Sequence, residues 1–555
     1  MSASSRPLPT VTPQTEFYWR SGKDGHLRLQ GCQSCSSLIH PPRPMCPHCR
    51  SKDSEIRVLS GRAILFGFTE NHRFALPGLT PPYIVAEVAL EEDPRVKLTT
   101  SVVGTDASEL VLGMQMEVLF EHHDDVWLPV FRPAENQTEP APMPPDEIEP
   151  QDYPMFVRPM ASPKKFEDSV AISGIGASTI GRRLMVDPLS LTIQACERAI
   201  ADAGLTLDDI DGLSTYPGGP GDSGHGEGGV TALETAMRIR PTWHNGAGET
   251  FGPGGSVIAA MLAVASGLAR HVLCFRTVWQ STHDAYTRDG RIARSGGGRA
   301  SGSILWSMPF GGVSAAHTLA QTANRHFAKY GTTRETLGWI ALNQRANAML
   351  NPTAIYRDPL SMDDYLNARP ITTPFGLNDC DVPCDASVAV IVSAVDAARD
   401  LAKPPVLFEA VGTQIIERLE WDQSTSTHEP QVLGPSAHLW SRTDLRPEDV
   451  DVAELYDGFT FNCVSWIEAL GFCKIGEAKD FLDGGHNIAR DGLLPLNTNG
   501  GQLSHGRTHG MGLLYEAVSQ LRGEAGERQI RDADVAVVSS GGLTPSSAML
   551  LRASR

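Results

Sequence analysis

Four cysteines within eighteen residues constrain this chain more than any other feature: Cys32-Gln33-Ser34-Cys35, ten intervening residues, then Cys46-Pro47-His48-Cys49. Two Cys-x-x-Cys knuckles at this separation can place four thiolates tetrahedrally around one Zn²⁺. A redox pair would need only one knuckle. Four thiolates close the coordination shell, so the zinc is expected to be structural and not catalytic. His40 and His48 are expected beside the site as neighbours, not ligands. The other six cysteines (Cys196, Cys274, Cys380, Cys384, Cys463, Cys473) are scattered and read mostly as small buried apolar side chains.

A knuckle pair accounts for only about 60 residues of a chain of 555, which is long enough for three or four folding units. The balance of 47 Lys+Arg against 65 Asp+Glu leaves a net charge of -18, which argues against nucleic acid as the main partner. No stretch approaches the roughly 18 apolar residues of a membrane span. Residues 1–15 are polar and Pro-rich with no apolar core, so a cytoplasmic protein is expected.

The chain divides by composition. Residues 1–60 are expected to hold an N-terminal helix and the zinc ribbon. Residues 61–133 contain short β-branched and aromatic runs, such as Ala63-Ile64-Leu65-Phe66 and Tyr83-Ile84-Val85-Ala86, which predict a small barrel. Nine prolines between 133 and 163 exclude helix or sheet interior, so 134–166 reads as an extended connector. Residues 167–404 and 405–555 alternate strand and helix patterns, an α/β signature. Asp187-Pro188 predicts a helix start, with apolar residues at helical spacing up to Gly204. Leu205-Thr206-Leu207-Asp208-Asp209-Ile210-Asp211 is echoed by Leu445-Arg446-Pro447-Glu448-Asp449-Val450-Asp451, as duplicated halves would require. The Gly-rich stretch 218–229 lacks a strand–turn–helix phosphate signature and reads as a loop.

A ribbon followed by a barrel resembles the acyl-CoA-associated family that joins a rubredoxin-like zinc ribbon to an OB-fold. The shared features are both knuckles, Gly61-Arg62-Ala63-Ile64-Leu65, Pro82-Tyr83-Ile84-Val85 and Leu128-Pro129-Val130-Phe131-Arg132-Pro133. Residues from about 168 onward resemble the thiolase superfamily, in its sterol-carrier-protein thiolase and lipid-transfer branch. Five motifs occur in order: Phe251-Gly252-Pro253-Gly254-Gly255-Ser256, Asp379-Cys380-Asp381-Val382-Pro383-Cys384-Asp385, Glu454-Leu455-Tyr456-Asp457-Gly458-Phe459, Asn497-Thr498-Asn499-Gly500-Gly501 with Ser504-His505-Gly506, and Ser539-Ser540-Gly541-Gly542. The resemblance implies a duplicated α-β-α-β-α fold with a lid insertion in the first half, a homodimer, coenzyme A as part of the substrate, and a possible dehydrogenase or hydratase partner.

The departures carry the functional reading. A thiolase needs a cysteine nucleophile, a second cysteine and a histidine. Here those positions fall at Phe251, at Ser539 or Ser540, and at Arg507. This pattern resembles the steroid side-chain aldolases, thiolase-like proteins that lack the cysteine and use tyrosines. It implies a carbon–carbon lyase that cleaves a bulky β-hydroxyacyl-CoA by retro-aldol chemistry. Tyr456, its pKa lowered by neighbours, would exchange a proton with the substrate hydroxyl, and Asp457 would orient it. Arg507, His509 and His505 are candidates to add charge or protons, while Gly252, Gly254, Gly255, Gly541 and Gly542 would expose N–H groups to an enolate. The second family tyrosine falls near Arg507. Structural roles stay open beside these: Tyr456 as a satisfied buried tyrosine, Asp457 as the cap of a helix starting near Phe459, Arg507 in a salt bridge. So do two other functions, a thiolase or acyltransferase with another nucleophile, and a non-catalytic acyl-CoA or lipid carrier or scaffold.

Overall fold

The knuckles fold as the spacing predicts. Strands β1 (Arg28–Cys32), β2 (Leu38–Ile39) and β3 (Ser54–Val58) form a small antiparallel sheet in the order β2-β1-β3. The two knuckles make the same turn: Ser36 N–H reaches Cys32 O and Arg50 N–H reaches Cys46 O, with Ser36 and Arg50 both at positive φ. The computed structural model describes residues 6–74, 76–216, 226, 229–246, 250, 252–292, 299–418, 421–541 and 545–554. Phe251, Gly542 and most of 218–229 lie outside the described residues.

The next five strands close a barrel. β4 (Arg62–Asn71), β5 (Tyr83–Leu90), β6 (Lys97–Val102), β7 (Gln115–His123) and β8 (Val126–Pro133) run in the order β4-β5-β6-β8-β7, and β7 pairs back onto β4. A register shift between Leu65 and Gly67 bends β4, which lets its first residues meet β7 while its length follows β5. Leu65, Ala86, Val88, Leu98, Leu128 and Phe131 fill the interior.

The Pro-rich stretch joins the barrel to the α/β part. It is mostly extended but does not run free. Ala141 N–H bonds Gly113 O, and the Asp146 carboxylate accepts from the Ser426 N–H and hydroxyl. A 3-10 turn, Pro150–Phe156, buries Tyr153, whose hydroxyl sits 2.7 Å from Thr425 Oγ1. Proline excludes ladder bonding but not side-chain docking.

Beyond it a nine-stranded sheet forms. Its first half comprises β9 (Val170–Ala177), helix α1 (Pro188–Ala203), β10 (Gly212–Thr215), β11 (Trp243–Asn245), α2 (Gly252–Ala265) and β12 (His271–Trp279). An insertion follows, with α3 (Ala315–Tyr330), α4 (Arg334–Met349), β13 (Pro370–Thr372) and β14 (Phe375–Gly376), before β15 (Asp385–Ala394). β13 leaves the α/β sheet altogether and pairs with β4 of the barrel through Thr372 and Asn71. The second half holds β16 (Val406–Gly412), β17 (Val452–Glu454), α5 (Thr460–Ala469), α6 (Met511–Leu521), β18 (Val535–Ser540) and β19 (Ser547–Ala553).

The strand order β11-β10-β12-β15-β9-β16-β19-β18-β17 is nearly palindromic about the antiparallel β9–β16 pair. The repeated segments occupy matching places, each a 3-10 turn entering an outer strand. Asp211 accepts from the N–H groups of Arg270 and His271, as Asp451 does from those of Asp534 and Val535. Strand alternation sorts the core. Val388, Val390 and Val392 of β15, with Cys274 of β12, face α2 and α6; Ala389 and Ile391, with Phe275, face α1. Helix α1 starts and stops where its sequence predicts: the Asp187 carboxylate caps Ser190 N–H and Gly204 turns left-handed. Among the described residues no helix is long and apolar enough to cross a membrane.

Candidate functional site

The ends of β12, β17 and the loop before α6 converge on a cavity of about 500 Å³. The insertion closes it with the first residues of α3, Ala315, Ala316 and Leu319, and the barrel contributes Arg73 and Phe74 from the loop after β4. The barrel therefore forms part of the wall. Five guanidiniums line the cavity (Arg73, Arg182, Arg276, Arg369, Arg507) against two carboxylates, Asp284 and Asp381, so it favours an anionic ligand.

Tyr456 lies in this wall. It follows β17, and its backbone N–H is held by Ser539 Oγ at 2.8 Å. Ser539, one of the two serines at the second cysteine position, thus fixes a backbone group. Burial pushes the Tyr456 phenol above its ordinary range, and Arg507 opposes this only in part. That reverses the expected direction: desolvation outweighs the neighbouring charge, and Tyr456 is held as the neutral phenol.

Asp457 is fully buried and is not among the residues lining the cavity. It does not cap α5, whose N-cap is Phe459. Its Oδ1 accepts from Gln502 N–H at 2.8 Å, which ties the tyrosine loop to the loop before α6. Gly501 allows this approach, since a Cβ there would lie 1.9 Å from Asp457 Oδ2. Burial pushes its carboxyl up to about 7.

Arg507 and His509 do reach the cavity. Arg507 Nε is 3.1 Å from Asp381 Oδ2, and its Nη1 donates to Gln280 Oε1 at 3.0 Å. The salt bridge is present, and it leaves Arg507 in the cavity wall. His509 sits at positive φ, and Arg276 Nη2 lies 2.8 Å from its Nδ1. Guanidinium nitrogens only donate, so Nδ1 accepts and the ring proton belongs on Nε2. His509 is thereby a neutral donor. Arg276 is buried mid-strand on β12 and also donates to Tyr216 O.

His505 is not brought to the cavity. It ends a π-helical turn, Gly501–His505, with Nε2 3.1 Å from Thr353 Oγ1 and Nδ1 3.4 Å from Asn499 Nδ2. Burial pushes it down to about 4, so it is a neutral structural residue. The expectation of a glycine loop at 252–255 is also corrected, because these residues form the first turn of α2. None of Gly252, Gly254 and Gly255 lines the cavity. Gly254 packs where a Cβ would lie 1.9 Å from Ser547 Oγ and 2.5 Å from Ser540 Oγ. Gly541 likewise lies off the cavity, beside Glu429 and Trp466.

Among the described residues no activated thiol lines the cavity. Cys380 lines the cavity, but burial pushes its thiol well up, as it does for Cys274, Cys384, Cys463 and Cys473. Such thiols stay protonated and weakly nucleophilic. Reading the sequence for loop motifs missed Arg276 and Asp381. A charged residue inside the apolar run Val272-Leu273-Cys274-Phe275-Arg276-Thr277-Val278 was the available signal for the first. Asp381 lies in one of the five ordered motifs, but nothing in the motif itself assigns that residue a chemical role.

In the ribbon, the four cysteine sulfurs all lie within 4.8 Å of one another. Cys32 and Cys49 Sγ are 3.5 Å apart, and Cys35 and Cys46 Sγ 3.7 Å. Zn–S bonds of about 2.3 Å at tetrahedral angles set sulfurs roughly 3.8 Å apart, so the cluster fits a zinc ion. His40 instead packs against Trp306, and His48 faces Arg418.

Three family models match: "ChsH2, rubredoxin-like zinc ribbon domain" over 19–55, "ChsH2, C-terminal OB-fold domain" over 57–121, and "Thiolase C-terminal domain-like" over 425–552. The chain is 34% identical over 402 residues to a steroid side-chain-cleaving aldolase of Thermomonospora curvata, covering 70% of this chain and 98% of that protein. It is 33% identical over 400 residues to 17-hydroxy-3-oxo-4-pregnene-20-carboxyl-CoA lyase of Mycobacterium tuberculosis, covering 69% and 98%. Among solved structures, an Ltp2-ChsH2(DUF35) aldolase superposes with a TM-score of 0.61 at 33% identity, covering 70% of this chain and 98% of that one.

Proposed function

The chain belongs to the steroid side-chain-cleaving aldolases, carbon–carbon lyases of the thiolase-like superfamily, and from that premise we propose that it cleaves a bulky, ring-bearing β-hydroxyacyl-CoA of the steroid class by a retro-aldol reaction. The observation that carries the reading is a cavity furnished with a neutral tyrosine, a neutral histidine donor and a paired Arg–Asp, but with no activated thiol.

In this reading the β-hydroxyl gives up its proton as the Cα–Cβ bond breaks. The oxygen becomes the carbonyl of the leaving ketone or aldehyde. The bonding pair moves into the thioester as an enolate, and a proton returns at Cα to give the shorter acyl-CoA. Tyr456 is held protonated, so it relays: it takes the hydroxyl proton as its own passes on. Asp381 and Arg507 both act on the Tyr456 phenol, and Asp381, which lines the cavity with it, is the carboxylate we assign to receive that proton. The Nε2–H of His509 and the Arg507 guanidinium are the donors for the enolate oxygen. Arg73, Arg182 and Arg369 suit the phosphates of coenzyme A. Asp457 holds the tyrosine loop.

The ribbon and barrel lie on one chain with the α/β part, which supports a fusion of the two components that the solved aldolase's name joins. The four cysteines would hold a structural zinc that fixes the ribbon. A homodimer across α2 fits the exposed Leu262 and Leu268 at its end. Light scattering of the purified chain is expected to give twice the chain mass, and Leu262→Glu to halve it. A dehydrogenase or hydratase that supplies or consumes the acyl-CoA is a compatible partner.

The test is a panel of β-hydroxyacyl-CoA esters with products read by mass spectrometry. A ketone or aldehyde plus the shortened acyl-CoA is expected from ring-bearing substrates, with kcat reduced about 10²-fold or more in Tyr456→Phe. Activity should survive thiol alkylation that spares the ribbon. A covalent acyl-enzyme, or no cleavage by folded zinc-loaded protein, overturns the proposal.

A further inference from the structure

Away from the cavity, two histidines aim the same nitrogen at one carboxylate oxygen. His326 Nε2 on α3 is 3.2 Å from Glu468 Oε2 on α5, and His428 Nε2, from the segment before the helix Leu433–Trp440, is 2.8 Å from the same atom. All three side chains are buried, and the ligand atoms lie within 4.8 Å of one another. Nothing in the proposed mechanism uses them.

We infer that His326, His428 and Glu468 form a second binding site for a divalent metal ion of the zinc class, distinct from the four-cysteine ribbon. Two imidazole nitrogens and a carboxylate oxygen are a recurrent zinc donor set. Bonds of about 2.0–2.1 Å at tetrahedral angles place such donors roughly 3.3–3.4 Å apart; the His326–Glu468 spacing of 3.2 Å already matches, while the His428–Glu468 spacing of 2.8 Å has to open by about half an ångström.

The surroundings are those of a ligand shell. A ligating imidazole needs a partner for its other nitrogen to fix the tautomer. His326 Nδ1 is 2.9 Å from Thr332 Oγ1, and His428 Nδ1 is 3.0 Å from Thr427 Oγ1. The carboxylate is oriented too: Gly476 N–H donates to Oε2 at 2.8 Å and Ala478 N–H to Oε1 at 3.0 Å.

The bland alternative is a hydrogen-bonded trio. It requires Glu468 Oε2 to accept both Nε2–H groups and the Gly476 N–H at once, three donors converging on one atom with two lone pairs. A cation between the nitrogens and the oxygen removes that crowding.

The site would act by position. α3 begins with Ala315, Ala316 and Leu319 in the cavity wall and carries His326 three turns later. α5 follows the Tyr456 loop, contributes Asn462 to the cavity, and carries Glu468 near its end. A metal here would pin the insertion to the tyrosine-bearing half of the sheet.

The test is elemental analysis of the full chain, reconstituted with excess Zn²⁺ and desalted. About two zinc ions per chain are expected, about one in Glu468→Gln and in His428→Gln, and about one in the ribbon variant Cys46→Ser. Cobalt substitution separates the sites by colour, because only the ribbon gives strong thiolate charge-transfer bands. A wild-type chain that saturates at about one zinc, all of it lost in Cys46→Ser, overturns the inference even if the other variants fail to fold.

Discussion

At the scale of single residues, burial decides more than charge does. Asp457 carries a carboxyl held near 7 inside the fold, against an ordinary value of 3.8. Between those values the folded chain keeps a proton that the unfolded chain releases. Its contribution therefore favours the folded state below about pH 4 and is lost as pH rises through about 7. Asparagine keeps the acceptor for Gln502 N–H but cannot ionise. Asp457→Asn should match the wild type near pH 4 and become more stable by about 2–4 kcal/mol at pH 8. Thermal unfolding of both proteins across that range checks it; a gap that stays constant with pH sinks the argument. The same scale sets what a sequence discloses. Tyr456, Arg507 and His509 stand in loops rich in glycine and polar residues, whose motif order along the chain points to them. Arg276 is hidden because only strand register shows that it faces His509. His505 misleads because a π-turn sends it toward Thr353.

At the scale of elements, local rules carry a long way. Helix α1 was legible from Asp187-Pro188 to Gly204 because capping and helix termination are local chemistry. The α2 terminus was not: Gly252-Pro253-Gly254-Gly255 suggests a loop by composition, and tertiary packing makes it a helical turn. The glycines there serve close approach. Gly254→Ala would drive a Cβ into Ser547 Oγ and Ser540 Oγ, which are themselves buried 2.9 Å apart. One hydroxyl can rotate away only by giving up that bond. The expected cost is about 1–3 kcal/mol of overpacking, read as a lowered denaturation midpoint. Because Gly252 also packs against His509 O, kcat should fall as well. An alanine variant with unchanged stability would show that this turn is looser than the geometry requires.

At the scale of the whole molecule, the parts are legible and their assembly is not. Composition separates ribbon, barrel, Pro-rich stretch and α/β halves, but nothing local says that the barrel joins the insertion. The join depends on pairs remote in sequence: Thr69 with Thr372, and Glu87 on β5 with Arg325 on α3 at 2.7 Å, both nearly inaccessible. Arg325 also lies over the Phe66 ring and donates to Ser426 O, so it binds barrel, insertion and second half together. Arg325→Met keeps much of the apolar stem but leaves Glu87 buried without its cation. That should cost about 3–5 kcal/mol. Adding Glu87→Gln removes the stranded charge, so the double variant should recover a large part of the loss, a coupling only direct partners show. Denaturant unfolding measures both. Activity supplies the second readout, since α3 runs from the cavity wall to this pair. If the single variant lowers stability while kcat and KM hold, the barrel is a passive support; a raised KM that the double variant restores makes the barrel contact part of how the cavity holds its substrate.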